Sequence, residues 1–179
     1  VTAVFGEEWS PGVDNDPHLN IINAGLRGAT GYYSSGDEYP ESVSPYSNQR
    51  EIIYLNIGVM SMGSTTYLDV LAHELQHAVH WASDPSEETW VNEGLSELAS
   101  SLAGYRSTAG RRFLQSRPTS LVHWPLASFA SGTSYETASL FMHYLWEHYS
   151  DGDDLRALVR EPEDGIAGIN AYLKASGYE

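Results

Sequence analysis

Two histidines separated by three residues, His73 and His77, are the side chains of this sequence best suited to bind a metal ion together. On a helix this spacing places both imidazoles on one face, with their Cβ atoms about 5–6 Å apart. Two ring nitrogens can then bind one zinc ion at about 2.0–2.1 Å. Glu74 projects about 100° around the helix from His73, so it borders the metal instead of binding it. A general base that takes a proton from a metal-activated water needs this position.

A catalytic zinc ion also needs a third protein ligand and an open fourth position, and three residues downstream could supply that ligand. His80 lies too far along a straight helix to close a tetrahedron with both histidines, and Asp84 lies near the helix end. We favour Glu93, in a second helix that could return antiparallel to the first. Glu97 is one turn further and could accept a hydrogen bond from a ligand histidine. The alternative for Glu93 and Glu97 is a solvated helix face.

A second motif, Asn92-Glu93-Gly94-Leu95-Ser96-Glu97, follows the one that contains His73 and His77, and the two together resemble a known family. Together they resemble the gluzincin metallopeptidases, whose thermolysin-like members carry His-Glu-x-x-His and then Asn-Glu-x-x-Ser-Asp. The run from Trp90 to Ala99 is also similar to secreted bacterial peptidases of the hyicolysin kind. Glu97 stands where the thermolysin-like motif has Asp. The resemblance covers residues 55–103 well and implies these roles: zinc ligands His73, His77 and Glu93, general base Glu74, and supporting residues Glu97 and Asn92.

The connector between the two motifs departs from that pattern, since only fifteen residues separate His77 from Glu93. This is fewer than in thermolysin or in the aminopeptidase branch, so the resemblance implies a compact gluzincin. The metzincin pattern fails, because it needs Gly at position 80 and His or Asp at position 83. The sequence has His80 and Ser83 there. The short connector leaves His80 and Asp84 as competitors for the third ligand position.

Hydrolysis of a peptide bond also needs a donor to the oxyanion, usually Tyr or His in addition to the metal. Tyr135 follows Gly132-Thr133-Ser134 at the start of a predicted helix, where similar gluzincins place such a group, and it is our first choice. His123, beside Trp124 in a predicted loop, is the second. The alternatives are that Tyr135 is a core residue and His123 a surface residue.

The predicted substrate is a polypeptide that pairs in extended form with an edge strand, Ile52–Ile57, above the cleft. Such pairing recognises the peptide backbone more than its side chains. Gly58-Val59-Met60 lacks the Glu-Asn that follows in the amine-binding motif of aminopeptidases. We therefore expect cleavage of internal peptide bonds. The alternatives are an aminopeptidase, another amide hydrolase of the same fold, and a metal-binding module without catalytic activity.

The elements that must position these residues are strands in the first half of the chain and helices in the second, an α+β arrangement. We expect one zincin-like domain over residues 1–179, with a sheet and active-site helix in 1–82 and a helical lobe in 83–179. The predicted strands cover residues 19–24, 29–34 and 52–57. The predicted helices are Tyr67–Trp81, Thr89–Ala103, Arg106–Gln115, Thr133–Tyr149, Asp153–Arg160 and Asp164–Ala175.

Composition narrows the classes of partner. A net charge of −15 argues against nucleic acid and anionic membrane surfaces. The chain has no cysteine, so any metal must be held by histidine and carboxylate groups. No apolar run could span a bilayer, and no signal peptide is visible at Val1. This profile is typical of secreted bacterial enzymes, and we expect a monomer in the extracellular space. Asp14-Asn15-Asp16 is a weak candidate for calcium, although such a loop is more often a turn.

Overall fold

The computed structural model describes residues 1–105, 120–124, 132–150 and 154–178. Within these ranges the chain is α+β, with a three-stranded mixed sheet in the first third and mainly helices after it. The predicted helix Arg106–Gln115 lies outside the described residues. None of the described helices is long and apolar enough to cross a membrane.

The sheet consists of β1 (Asn20–Ala24), β2 (Gly31–Tyr33) and β3 (Ile52–Asn56), each within a predicted strand. β3 lies in the middle, parallel to β1 and antiparallel to β2. All five residues of β3 are buried, which explains its continuous apolar sequence. The prediction that Ile52–Ile57 forms an edge strand is therefore wrong. Both of its edges already pair with neighbouring strands, so a substrate could not add to it.

The helices are α1 (Thr2–Phe5), α2 (Thr65–Ser83), α3 (Thr89–Leu102), α4 (Gly132–Tyr149), α5 (Arg156–Val159) and α6 (Gly165–Ala175). The α2, α3, α4 and α6 helices were predicted within two residues of their observed bounds, whereas α5 is shorter than predicted. The short α1 helix and a 3₁₀ turn at Ser35–Glu38 were not predicted.

The two central helices, α2 and α3, form an antiparallel hairpin. The Ser64 side chain caps α2 by accepting a hydrogen bond from the backbone N–H of Tyr67 at 3.2 Å, and Asp84-Pro85 follows its last turn. Side-chain hydrogen bonds join residues 77 to 92, 76 to 96, and 69 to 100. Because the residue numbers fall along α2 while those of their partners rise along α3, the two helices run in opposite directions, as the sequence predicted.

Two apolar clusters hold this hairpin in place. The larger lies among α2, α3, α4 and the C-terminal helices, around the buried side chains of Trp90, Leu95, Leu98 and Met142. The smaller joins the sheet to the first half of α2 through Ile53, Leu55, Met60, Tyr67 and Val70. α2 therefore packs on the sheet at one side and on the helical part at the other. The partly buried stripe between them, which includes His73 and His77, lines a cleft.

α3 packs tightly against α4 at Gly94, next to the predicted ligand Glu93. A Cβ atom at this position would lie 2.8 Å from Cγ of Met142 and 3.1 Å from the backbone oxygen of Ala138. Only glycine lets the two backbones lie this close. This contact sets the distance between α4, which carries Tyr135, and the acidic face of α3.

Candidate metal centre

His73, His77 and Glu93 come together as one group of ligand atoms that could hold a metal ion. The Nε2 atoms of the two histidines are 3.1 Å apart. Oε2 of Glu93 lies 3.2 Å from Nε2 of His73 and 3.6 Å from Nε2 of His77. A tetrahedral ion with bonds of about 2.0–2.1 Å has edges of about 3.3–3.4 Å between its ligands. The three atoms are spaced as three corners of such a tetrahedron.

The other ring nitrogen of each histidine contacts a polar side chain of α3. Nδ1 of His77 contacts Oδ1 of Asn92 and lies 3.1 Å from Oγ of Ser96. Nδ1 of His73 lies 3.4 Å from Oε1 of Glu97, within ion-pair distance. Both Nδ1 atoms therefore face oxygen atoms of α3, an arrangement that suits the tautomer in which Nδ1 carries the proton and Nε2 keeps its lone pair for a metal. The structure places Asn92 and Glu97 where such supporting contacts are made.

Two Nε2 lone pairs and a carboxylate oxygen then point to the same place. Three electron-donating atoms this close together need a positive charge between them. The side chains are largely shielded from solvent, with 13% of His73 and 18% of Glu93 exposed. Burial raises the pKa of Glu93, but when His73 and His77 are protonated their hydrogen bonds and positive charge outweigh it and lower this pKa to about 2. A divalent cation supplies that charge without doubly protonated imidazoles. The donor set therefore fits a metal ion such as zinc.

Glu74 lies beside this group and outside it. The residue is buried, and its Oε2 accepts a hydrogen bond from the backbone N–H of Tyr33 at 2.9 Å. It lines the same cavity as His73 and His77, a cleft of about 870 Å³. The structure therefore places a fixed carboxylate beside the metal ligands, at the wall of an open space.

Tyr135, from the first turn of α4, also reaches the cavity. Burial raises the pKa of its phenol to about 12, with further contributions from the charges of Glu93 and Glu74 and from a hydrogen bond to Glu93. The phenol is therefore a neutral hydrogen-bond donor at ordinary pH. Its ring packs edge-on against Trp124, with centroids 5.1 Å apart. Tyr135 is the one described residue of α4 that lines the cleft.

His123 does not reach the cavity. The residue is exposed, and its backbone N–H donates to Oγ of Ser120. It is absent from the lining of the cleft among the described residues. His80 and Asp84, the other candidates for the third ligand, belong to a separate group near the end of α2. Of the three candidates, the structure brings only Glu93 to the two histidines.

The acidic segment Asp14-Asn15-Asp16 folds as a turn. Oδ1 of Asp14 accepts the backbone N–H of Asp16 at 2.9 Å, and Asn15 has a φ of 61°. Asp16 pairs with His18, and Asp14 lies 3.7 Å from the Arg50 guanidinium. These contacts agree with the turn that the sequence allowed, and calcium binding there stays a prediction.

The contribution of β2 to the site was not predicted from the sequence. Residues 28–33 form one wall of the cleft, and the backbone of Tyr33 holds the carboxylate of Glu74. The donor is a backbone N–H, which every residue except proline carries, so no side chain marked this contact in advance. The one available signal was Gly31. A Cβ there would lie 2.6 Å from Cγ1 of Val70 on α2, so glycine lets β2 approach that helix.

Comparisons with known proteins add no family to this geometry. No model of a protein family matches the chain, and no curated protein matches it. The α+β architecture and the His73, His77 and Glu93 group, which could hold a metal ion, are the features that the structure itself establishes.

Proposed function

We propose that this chain is a zinc-dependent endopeptidase with a zincin-like fold of the gluzincin type. One observation carries the proposal: three ligand atoms with the spacing of a zinc tetrahedron lie beside a buried carboxylate in an open cleft. A purely structural zinc site is usually closed by four protein ligands. Here the described residues offer three, and the group lines the cleft.

His73, His77 and Glu93 would hold the metal ion. A zinc ion with three protein ligands supplies Lewis-acid chemistry, because it lowers the pKa of a bound water to about 7 and polarises a carbonyl group. Asn92 and Glu97 keep the two imidazoles in the tautomer that binding needs, since they face the Nδ1 atoms.

Glu74 moves the proton in the proposed reaction. Its carboxylate takes a proton from the attacking water and passes it to the nitrogen of the leaving amine. The N–H of Tyr33 holds one carboxylate oxygen at 2.9 Å. That contact fixes the carboxylate and leaves its other oxygen for the water.

Tyr135 stabilises the negative charge that develops on the carbonyl oxygen. Its phenol is neutral at ordinary pH because burial raises its pKa to about 12, so it donates a hydrogen bond. In the structure the phenol interacts with the nearby carboxylate of Glu93. In the reaction it would exchange that partner for the oxyanion.

The substrate is proposed to bind as an extended peptide along β2, which replaces β3 in this role. Thr30 accepts the N–H of Asn56 in β3, so the alternate residues Gly31 and Tyr33 direct their backbone groups away from that strand. Among the described residues, no strand pairs with this side of β2. Pairing there would place a peptide within the cleft that Glu74 lines. Secretion and a monomeric state belong to the proposal on composition alone.

The substitution Glu74→Gln tests the proposal. It should lower kcat/KM on quenched-fluorescence peptides with blocked ends by about 10²- to 10⁴-fold, because the proton carrier is lost. Zinc content should stay near one ion at this centre, since Glu74 is not in the ligand group. Glu41→Gln, which changes an exposed carboxylate, is the matched control. Full activity in a zinc-loaded Glu74→Gln variant would sink the mechanism.

The choice of substrate and the effect of chelation separate the alternatives. An aminopeptidase would need a free amino terminus on the peptide, and another amide hydrolase would leave all peptides intact. A catalytic zinc should be removable by a chelator with loss of activity and little unfolding. A structural zinc in a non-catalytic module should unfold the chain when it is removed.

A further inference from the structure

A second cluster of ligating side chains lies near the C-terminal end of α2 and in the connector to α3. His80, Asp84 and Glu87 each place one ligand atom within 4.8 Å of the others. None of them lines the cleft of the first group. The roles proposed for the first centre leave all three without a function.

Two atoms of this cluster are buried and have no hydrogen-bond partner among the described residues. They are Nε2 of His80, a residue with 0% exposure, and Oδ2 of Asp84, a residue with 6% exposure. Buried polar atoms are almost always paired, so an unpaired donor or acceptor points to a missing partner. Here two such atoms belong to one cluster, and a single ion could satisfy both.

The other polar atoms of these side chains are already held in place. Oδ1 of Asp84 accepts the N–H of Ser86 at 3.1 Å and its hydroxyl at 3.0 Å. Glu87 accepts the backbone N–H of Gly165, the first residue of α6, at 2.8 Å. The free atoms are thus presented by fixed carboxylates, as the ligands of a metal site must be.

The imidazole of His80 is oriented by Gln76, whose Nε2 lies 3.4 Å from Nδ1 of His80. The Gln76 amide could also lie with its oxygen and nitrogen exchanged. With the Gln76 oxygen towards His80, Nδ1 donates and Nε2 keeps its lone pair for a metal. In the structure the Ser96 hydroxyl instead donates to Oε1 of Gln76 at 2.5 Å, so metal binding at His80 would require the Gln76 amide to turn over, after which Ser96 keeps the Asn92 carbonyl as its acceptor.

We propose that His80, Asp84 and Glu87 bind a second divalent metal ion of the zinc class. One imidazole and two carboxylates suit zinc and its neighbours, whereas calcium takes six to eight oxygen ligands. The two carboxylates also balance the charge of a divalent ion in a buried place.

The second ion would stabilise the part of the fold that positions the first centre. It would join the end of α2 to the connector, and through Glu87 to the start of α6. The connector leads directly into α3, which carries Glu93, so its position determines where the third ligand of the first centre lies. The inference does not depend on catalysis, because the second ion would bind in an inactive chain as well.

The test measures zinc binding with the first centre removed. The double variant His73→Ala/His77→Ala should still bind one zinc ion per chain, measured by elemental analysis after gel filtration in zinc-containing buffer, whereas the wild type should bind two. Adding Asp84→Asn or Glu87→Gln to the double variant should weaken zinc binding at least tenfold. Glu163→Gln, an exposed carboxylate next to Asp164, is the control and should have no effect.

Cobalt provides a second readout, since its visible spectrum reports the ligands of each centre. In the double variant, Co²⁺ should give one spectrum that Asp84→Asn abolishes. A folded double variant that binds neither Zn²⁺ nor Co²⁺ at micromolar concentration would overturn the proposal. Should that variant not fold, a single zinc ion in the folded wild type would overturn it equally. Failure of the proposed peptidase activity alone would leave these binding results unchanged.

Discussion

In the candidate metal centre, both ring nitrogens of each histidine contact other side chains. His77 presents Nε2 to the ligand group while Nδ1 contacts Asn92, and His73 does the same with Glu97. Glu74 is held by a backbone N–H, and Tyr135 by its edge-on contact with Trp124. Side chains held in this way lose little freedom on binding a metal or substrate, which is what precise positioning requires.

The substitution Tyr135→Phe should lower kcat by about 10- to 10³-fold while KM changes little, because the donor acts on charge that develops in the reaction. Zinc affinity should remain, since Tyr135 is not in the ligand group. Steady-state kinetics on the blocked peptides provide the measurement. Tyr144→Phe, an exposed tyrosine on the same helix, is the control. An unchanged kcat in Tyr135→Phe would mean that Tyr135 contributes only to packing.

Among the elements, α2 contributes most to the site. It carries both histidines and the carboxylate of Glu74, and it packs on the sheet at one side and on α3 at the other. The α3 helix adds Glu93 and the residues that support the imidazoles. The distance from these helices to α4 then decides whether Tyr135 reaches the centre. Gly94 lies where α3 packs tightly against α4.

The substitution Gly94→Ala should destabilise the fold by about 1–2 kcal/mol. The added Cβ would contact Met142 and the Ala138 carbonyl, which costs about 1–3 kcal/mol, and the better helix propensity of alanine offsets up to about 1 kcal/mol of this. Peptidase activity should also fall, because α4 must move outward with Tyr135. Urea unfolding measures the first effect. Gly25→Ala is the control, since its Cβ would meet nothing within 4 Å.

The sequence indicated the hairpin well because its signals are local. Ser64, Asp84-Pro85 and the spacing of His73 and His77 act within a few residues of the helix that they define. The place of β3 at an edge of the sheet was predicted wrongly, since its pairing with residues 20–24 depends on contacts about thirty positions apart. Continuous burial of β3 is the signature of a central strand, and its apolar run could have indicated that.

At the scale of the whole molecule, several acidic side chains are buried among the described residues, and two of them, Glu38 and Glu51, lie next to each other. Burial, a hydrogen bond with Glu51 and the charges of Glu51 and Asp37 together raise the pKa of Glu38 to about 8, against a lowering by the hydrogen bond from the hydroxyl of Tyr33. Glu51 also accepts the backbone N–H of Val13 at 2.8 Å. Glu51 thereby ties the N-terminal loop to the start of β3, and Glu38 accepts the hydroxyl of Tyr33 in β2 at 3.0 Å.

Stability should therefore depend on pH through Glu38. The unfolded chain loses this proton near pH 4.5 and the folded chain near pH 8. Between these values the folded state binds more protons, so stability falls as pH rises, by up to about 1.4 kcal/mol per unit. Glu38→Gln should flatten this dependence in urea unfolding at pH 5, 6.5 and 8, whereas Glu41→Gln should not. Parallel curves for wild type and Glu38→Gln would contradict the assignment.

The helical hairpin has a further consequence for how the molecule is made. All the ligands of the first centre come from residues 73–93, so the centre needs only short-range contacts to close. A growing chain could capture its metal as soon as α3 leaves the ribosome, because local helical structure forms fastest. Tyr135 is synthesised some forty residues later, after the ligands are in place. Metal loading would thus precede completion of the proposed active site.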